Sequence, residues 1–256
     1  MNINHHVKLK VMALKEELEE QGNWLFKYRS ILPIGILFVG LVVFIQSNLQ
    51  KTMTDCTVYF EFFCLLVSLA GLGIRIYTVG HTPKNTSGRN TAEGQVADTL
   101  NTTGIYSIVR HPLYLGNFFM WLGPALLTES LWFIISFILF YWIYYERIMY
   151  AEEQFLERKF GSIYKEWAAK VPAFIPKLGM FTRSSLSFSI KKVIKKEKNG
   201  LFAVFLIFMV FDLVGEWTKH HSHYNIFFVI GCLLTMVIYI VLKIIKTRTT
   251  YLENNR

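Results

Sequence analysis

Long apolar segments are the feature of this sequence that most restricts its fold. Four of them approach the roughly 20 residues that a helix needs to cross about 30 Å of hydrocarbon, and two shorter ones accompany them. Backbone N–H and C=O groups in lipid must pair within their own segment, so a chain that is 53% hydrophobic is predicted to be an all-α polytopic membrane protein. The six predicted membrane helices are 30–46, 57–79, 112–127, 130–150, 200–218 and 224–245.

The positions of the basic residues predict the orientation of these helices. Of 27 Lys and Arg residues, all except Lys51 and Lys219 fall on the side of the membrane that holds the N-terminus. Because basic residues concentrate in cytoplasmic segments, both termini are predicted to be cytoplasmic. The net charge of +9 then reflects topology and attraction to anionic headgroups. No basic recognition module accompanies it, so nucleic acid is not an expected partner.

Polar residues gather where two of the apolar segments begin and end. The sequence GIYSIVRHPLYLG occupies 104–116 and opens the third span, whereas Glu152 and Glu153 close the fourth. A short connection predicts that these two spans form an antiparallel helical hairpin. Arg110 and His111 are therefore expected at the same membrane face as the two glutamates. Their joint occurrence favours a functional site over a solvated helix end.

Between about Leu72 and Pro176 the chain contains RHPLYLG, the two glutamates, FG with Tyr164, and Pro172 with Pro176. Through these residues this stretch resembles the isoprenylcysteine carboxyl methyltransferase family and its phospholipid methyltransferase relatives. This sequence has Trp167 where the family often has Tyr, and Ala173 where a basic residue is common. The resemblance implies that S-adenosylmethionine is the methyl donor and that it binds in a cytoplasmic pocket open to lipid.

The resemblance also indicates which residues bind the donor. The donor combines a sulfonium, an amino group, a carboxylate and an adenosine, so it requires acidic side chains, hydrogen-bond donors and aromatic walls. Glu152 and Glu153 are expected to hold its amino group and ribose hydroxyls. Pro112 would fix the backbone that presents the basic residues, and Gly116 would allow the donor to approach the helix closely. The predicted donor-binding residues are Gly104, His111, Pro112, Tyr114, Gly116, Glu152 and Glu153.

Methyl transfer between an anionic acceptor and a cationic sulfonium needs positioning and a dry pocket rather than a nucleophilic side chain. Arg110 is the predicted catalytic residue, because it can orient a carboxylate or phosphate. Arg75, Arg89 and Tyr164 are the predicted substrate-binding residues. An amine acceptor would instead require a base, and Glu153 or His111 would then remove its proton.

The acceptor is expected to be the polar end of a lipid or lipidated molecule at the cytoplasmic headgroup level. The family is named for the methylation of a prenylated C-terminal cysteine. The loop sequences TSGRNT and VADTLNTTG also resemble a bacterial branch that includes methyltransferases of the lipid A 1-phosphate. We slightly favour a bacterial lipid headgroup and hence the bacterial inner membrane. A phospholipid N-methyltransferase is the alternative, and the oligomeric state is left open.

A function of another class is indicated by Asp212, Glu216 and His220, which recur every four residues on one helix face, with His221 and His223 beyond. Such a face could bind a metal or conduct an ion. No metal is predicted in the methyltransferase site itself. The predicted organisation of the chain is a cytoplasmic amphipathic segment (1–29), helices 1 and 2 (30–79), a methyltransferase core (80–176), a basic linker (177–199), helices 5 and 6 (200–245) and a basic tail (246–256).

Overall fold

The computed structural model describes residues 13–29, 31–50, 58–83, 89–91, 94–219 and 224–249, and within them it is almost entirely helical. Two short strands and two 3-10 turns, Ile105–Ser107 and Leu178–Met180, interrupt the helices. The other elements are α1 (Leu14–Tyr28), α2 (Leu32–Leu49), α3 (Val58–Gly80), β1 (Arg89–Thr91), β2 (Gly94–Val96), α4 (Pro112–Leu127), α5 (Leu131–Phe160), α6 (Ser162–Ala168), α7 (Ile190–Lys219) and α8 (Ile226–Arg248).

Four of the described helices, α3, α5, α7 and α8, are long and apolar enough to cross a membrane. A fifth candidate span is the pair α1 and α2, which is bent by 73°. Helix α4 has 16 residues and a length of about 24 Å, which is short for the third predicted span. The described part of the chain is thus consistent with a polytopic membrane protein of four or five spans, fewer than the six predicted.

Helix α4 packs most closely against α3, although the predicted hairpin with α5 is also present. The contact depends on glycines, because a Cβ atom added at Gly116 would lie 2.8 Å from the carbonyl oxygen of Gly71. Further along, a Cβ atom at Gly123 would lie 2.5 Å from the carbonyl oxygen of Cys64. Small residues let the two backbones touch, as in other membrane helix pairs, and so bury a helix that is short for the bilayer.

Helix α1 lies along the second half of α5. A Cβ atom at Gly22 would lie 2.7 Å from the Cβ atom of Ala151, and Tyr144 Oη donates a hydrogen bond to the carbonyl oxygen of Leu25 at 3.2 Å. Phe26 is buried in the same contact. The amphipathic segment predicted at 1–29 therefore packs one face against α5 over its described part.

Helix α7 begins at Ile190, inside the segment 177–199 that the sequence predicts as a linker. Its first turns are attached to the segment just after α3 by the buried Lys192, whose Nζ donates hydrogen bonds to the carbonyl oxygens of Thr82 and Pro83. The carbonyl oxygen of Gly80, the last residue of α3, accepts a further hydrogen bond from the backbone N–H of Ser189 at 2.9 Å. The early turns of α7 thus become part of the bundle.

The polar loop 80–103 contains an antiparallel hairpin that the all-α prediction did not include. Strand β1 pairs with β2, with Asn90 opposite Gln95. Val96 and Ala97 then lead the chain to the charged end of the bundle, where they line a cavity. The hairpin is therefore adjacent to the candidate site.

Candidate active site

The segment before α4 is held in place by the proline-containing segment 171–176. The backbone N–H of Arg110 donates to the carbonyl oxygen of Pro172 at 2.9 Å, and that of His111 donates to Ala173 at 3.1 Å. Lys177 N–H donates in return to Ile108 at 2.9 Å. These bonds fix the backbone that presents the two basic side chains. Two motifs that are far apart in the sequence are therefore one local structure.

Gly104 shapes the turn that precedes this segment. Its φ is 63°, a left-handed conformation that favours glycine. Its N–H donates to the carbonyl oxygen of Thr182 at 3.0 Å, and its own carbonyl oxygen accepts from Ser107 Oγ at 2.7 Å. Within the described residues, Gly104 does not line the cavity that Val96 and Ala97 border. Its position supports the local backbone.

His111 lies between the two glutamates. Its Nε2 is 2.9 Å from Glu153 Oε1 and its Nδ1 is 3.4 Å from Glu152 Oε2. Arg110 Nη1 is 3.3 Å from Glu153 Oε2. Burial alone lowers the pKa of His111, but the hydrogen bonds and charges of Glu152 and Glu153 raise it, and the net direction is upward. The result is a network of two cations and two carboxylates.

A cavity of about 430 Å³ opens beside this network, within the size range of small-molecule sites. Glu152 lines it, whereas Glu153 does not and instead contacts the basic pair from behind. The cavity is more basic than acidic. Its charged lining residues are Arg29, Arg75, Arg110, His111, Lys196, Glu152 and Glu197.

Aromatic rings form other parts of the cavity wall. Tyr114 stacks on His111 with ring centroids 5.8 Å apart and is supported from behind by Tyr145 at 4.8 Å. Trp167 Nε1 donates a hydrogen bond to the carbonyl oxygen of Tyr106 at 3.2 Å, and both residues line the cavity. Trp167, which departs from the family's usual Tyr, thus preserves an aromatic surface with a polar contact.

Nε of Arg110 is buried in the cavity wall and has no hydrogen-bond partner among the described residues. The hydroxyl of Tyr164 lies near it, beside the side chains of Glu153 and Arg110. Burial, together with the charge of Glu153, raises the pKa of Tyr164, so its hydroxyl keeps its proton. Because an unpaired buried donor is unfavourable, Nε of Arg110 is suited to a polar ligand.

Arg75 reaches the cavity from α3 and is tightly held. Its Nε and Nη2 each donate to the carboxylate of Glu197 at 2.8 Å, and its Nη1 donates to Asn117 Oδ1 at 2.7 Å. Sequence reasoning did not identify Glu197, Asn117 or Lys196. The one available signal for Glu197 was that it is the single acidic residue in the basic run KKVIKKEK (191–198).

Two further residues that line the cavity come from α1 and the residue that follows it. Phe26 is buried, and the guanidinium carbon of Arg29 lies 3.9 Å from the centroid of its ring. Both residues were missed, because the amphipathic pattern of 1–29 indicates an interfacial segment and does not show what it packs against.

Other predicted residues lie elsewhere. Gly116 faces α3, where an added Cβ atom would lie 2.6 Å from Arg75 Cγ, so the close approach that it allows is to a helix and not to the cavity. Pro112 starts α4 as predicted. The backbone of Arg89 lies in β1, but its side chain is outside the described part of the structure.

The second acidic cluster lies near the start of α8. Asp212 accepts a hydrogen bond from the backbone N–H of Asn225 at 3.0 Å. His220, His221 and His223, which the sequence places with it, lie outside the described residues. Within the described part of the chain, no group of three or more His, Cys, Asp or Glu residues is arranged to hold a metal ion.

The fold and the cavity define a class of protein: a helical membrane protein with a charged cavity built around the RHP segment and the glutamate pair. Residues 58–163 match the profile of the phospholipid methyltransferase family. This match, together with the relatives that share the segment, supports placing the central segment of the chain with the isoprenylcysteine carboxyl methyltransferase family and its phospholipid methyltransferase relatives.

The similar curated proteins carry two kinds of name. The chain is 34% identical over 122 residues to the nickel-cobalt-cadmium resistance protein NccN of Alcaligenes xylosoxydans xylosoxydans, which covers 47% of this chain and 54% of the relative. It is 35% identical over 123 residues to the cobalt-zinc-cadmium resistance protein CzcN of Cupriavidus metallidurans, with the same coverage.

A third relative is the protein-S-isoprenylcysteine O-methyltransferase of Saccharomyces cerevisiae, which is 33% identical over 153 residues, 59% of this chain and 60% of the relative. The match covers about half the length of each of the two metal-resistance relatives. No solved structure matches this chain.

Proposed function

We propose that this protein is an S-adenosylmethionine-dependent membrane methyltransferase that methylates an anionic oxygen on the polar head of a lipid or lipidated substrate. The observation that carries the proposal is the cavity in which Glu152, His111 and Arg110 meet beside a mainly basic wall. The names of the isoprenylcysteine O-methyltransferase relatives support the same reaction.

The residues of the cavity fit the methyl donor. Glu152 offers a carboxylate to its amino group, while Arg110 Nε is a buried donor that needs an acceptor such as its carboxylate. Tyr106 and Trp167 offer aromatic surface to the adenine. When bound, S-adenosylmethionine supplies an electrophilic methyl group. The protein's own task is to hold the reactants in line and to exclude water.

An anionic acceptor suits the charges of this cavity. Five basic and two acidic side chains line it, so an added negative charge is stabilised. Arg110 and Arg75 are the proposed contacts for a carboxylate or phosphate, since a guanidinium matches either group. An anionic oxygen is already a nucleophile, and no side chain has to remove a proton from it.

We place the reaction at the cytoplasmic face and favour a bacterial inner-membrane lipid over a prenylated cysteine, on the basis of the basic-residue distribution and the loop sequence 80–103. An amine acceptor is the second candidate, because the matching family is named for phospholipid methylation. It would need a base, and Glu153 or His111 would take the proton.

A metal-binding or transport function is the rival of another class, and the names of the two metal-resistance relatives support it. It would engage Asp212 and Glu216 rather than the cavity. Membranes that gain metal-binding capacity from this protein, and lose it in Asp212→Asn, would favour the rival if no methyl transfer were found.

The test uses membranes with and without the protein, incubated with methyl-labelled S-adenosylmethionine and then extracted for lipid. Alkali-labile label released as methanol indicates a carboxyl ester, whereas label retained in the lipid indicates a phosphate or amine acceptor. Glu152→Gln should abolish most of the transfer. Glu157→Gln is the matched control, because this more exposed carboxylate of α5 pairs with Lys165 and does not line the cavity. Absence of protein-dependent label would contradict the proposal.

A further inference from the structure

Glu197 and Arg75 join the two helices that flank one side of the cavity. The carboxylate of Glu197 is only 4% exposed, and the Arg75 side chain is 23% exposed. The pair is bidentate, with both N–O distances at 2.8 Å. Both residues line the cavity. A charge-assisted pair of this geometry fixes the plane of the guanidinium as well as its position.

The helix that carries Glu197 is itself anchored. Lys192, five residues earlier on α7, donates hydrogen bonds to the carbonyl oxygens of Thr82 and Pro83, just after α3. Gly200, three residues later, lies against α3 and α4, since an added Cβ atom would be 3.4 Å from side-chain atoms of Leu72 and Met120. These contacts on both sides of Glu197 hold this part of α7 against its neighbours, and they restrict the position of the Glu197 carboxylate.

The pairing leaves part of the Arg75 guanidinium available. Arginine has five N–H donors. Two of them serve Glu197 and one serves Asn117, which leaves two without a hydrogen-bond partner among the described residues. Since Arg75 lines the cavity, these donors can meet the oxygens of a ligand there.

Glu197 lies outside the segment that matches the phospholipid methyltransferase profile, which ends at residue 163. Its role therefore does not follow from that match. A purely structural role is the competing explanation, because a buried arginine requires a counter-charge wherever it occurs. The two explanations differ in what they predict for acceptor binding.

We propose that Glu197 is a positioning residue for the acceptor: it holds the Arg75 guanidinium at the cavity wall so that its remaining N–H donors bind the anionic head of the substrate. The acceptor site is then shared between α3 and α7. This inference rests on the proposed methyltransferase function and adds the α7 contribution to it.

The experiment measures the kinetics of the purified full chain in lipid nanodiscs. Three probes serve as acceptors: N-acetyl-S-farnesylcysteine, phosphatidic acid and phosphatidylethanolamine. Wild type, Glu197→Gln, Arg75→Gln and the double variant are compared, with Glu157→Gln as the control. The double variant leaves no buried charge unpaired, so it also guards against failure of the single variants to fold.

We expect Glu197→Gln to raise the KM of an anionic acceptor about tenfold, the effect of disturbing one charge-assisted hydrogen bond, with the KM of S-adenosylmethionine unchanged. In the Arg75→Gln background the same substitution should have little further effect, because Glu197 acts through Arg75. The Glu157→Gln control should behave as wild type.

An unchanged or lower acceptor KM in Glu197→Gln would overturn the inference, as would a rise of equal size in the Arg75→Gln background. Methylation of phosphatidylethanolamine alone would also overturn it, since that acceptor is an amine. If wild type methylates none of the three probes and no lipid of the membrane extract, the proposed function itself fails. Either KM result leaves methyl transfer itself intact, so failure of the inference and failure of the proposed function are distinguishable.

Discussion

His111 Nε2 lies 2.9 Å from Glu153 Oε1, which joins the residue before α4 to the later turns of α5. The other ring nitrogen faces Glu152, so both nitrogens meet a carboxylate. Only an imidazolium can donate from both nitrogens at once. The protonation of the buried His111 therefore affects the contact between the start of α4 and α5.

We predict that this link makes stability depend on pH. A histidine whose folded pKa is raised contributes its full stabilisation below its ordinary pKa of about 6.5, and loses it as pH rises through the raised folded value. The difference in Tm between wild type and His111→Gln should therefore be largest in mild acid and should shrink as the pH rises through the raised folded pKa. His81→Gln, outside the charge network, is the control. A difference that grows with pH would contradict the assignment.

The two glutamates should have separable roles. Glu152 faces the cavity, so Glu152→Gln is expected to weaken S-adenosylmethionine binding about tenfold or more through loss of one charge-assisted hydrogen bond. Glu153 contacts Arg110 and His111, so Glu153→Gln should lower stability and turnover more than donor affinity. Isothermal titration with the donor and thermal unfolding of both variants would check this. Equal effects on donor affinity would argue against the distinction.

Gly116→Ala should disturb the contact between α3 and α4. The added Cβ atom would lie 2.6 Å from Arg75 Cγ and 2.8 Å from the Gly71 carbonyl oxygen, and overpacking of this kind costs about 1–3 kcal/mol. We expect a lower Tm and, because Arg75 is displaced, a higher acceptor KM. Gly73→Ala is the matched control on α3, since its Cβ atom would meet nothing within 4 Å. A Tm loss no greater than that of the control would refute the contact.

Gly104→Ala tests the turn before the RHP segment. The left-handed φ of 63° disfavours a Cβ atom by about 1–2 kcal/mol, and Ser184 Cβ would lie 3.2 Å away. We expect a drop in stability of about that size, measured by denaturant unfolding. Gly179→Ala, with open space around it and no left-handed φ, should be nearly neutral. Equal stability of both variants would show that the conformation of Gly104 is not required.

The helical membrane class could be predicted from length and apolarity, because a lipid environment permits few solutions for the backbone. The number of spans could not. Helix α4 has the composition of a span but 16 residues, and its burial depends on Gly71 and Gly116 meeting across two helices. Hydropathy reports which residues avoid water and gives no information on which helix they face.

The polar core of the candidate site could also be anticipated in part. Arg110, His111, Glu152 and Glu153 are brought together because a helical hairpin returns the chain to the same membrane face. The different environments of Glu152 and Glu153 could not be anticipated. Adjacent residues of a helix point about 100° apart, and only the packing of α5 decides which of the two side chains meets the cavity. The roles assigned to them stay predictions.

The sequence by itself determined the class of fold and the central segment that carries the family's residues, because apolar length and local motifs are properties of contiguous chain. Tertiary structure decided what closes the cavity. Arg29 follows α1, Arg75 lies on α3 and Glu197 on α7, at separations that no local pattern encodes. The physical reason is that a buried charge is matched by whichever partner the packing brings within about 3 Å, and that choice is made only when the helices assemble.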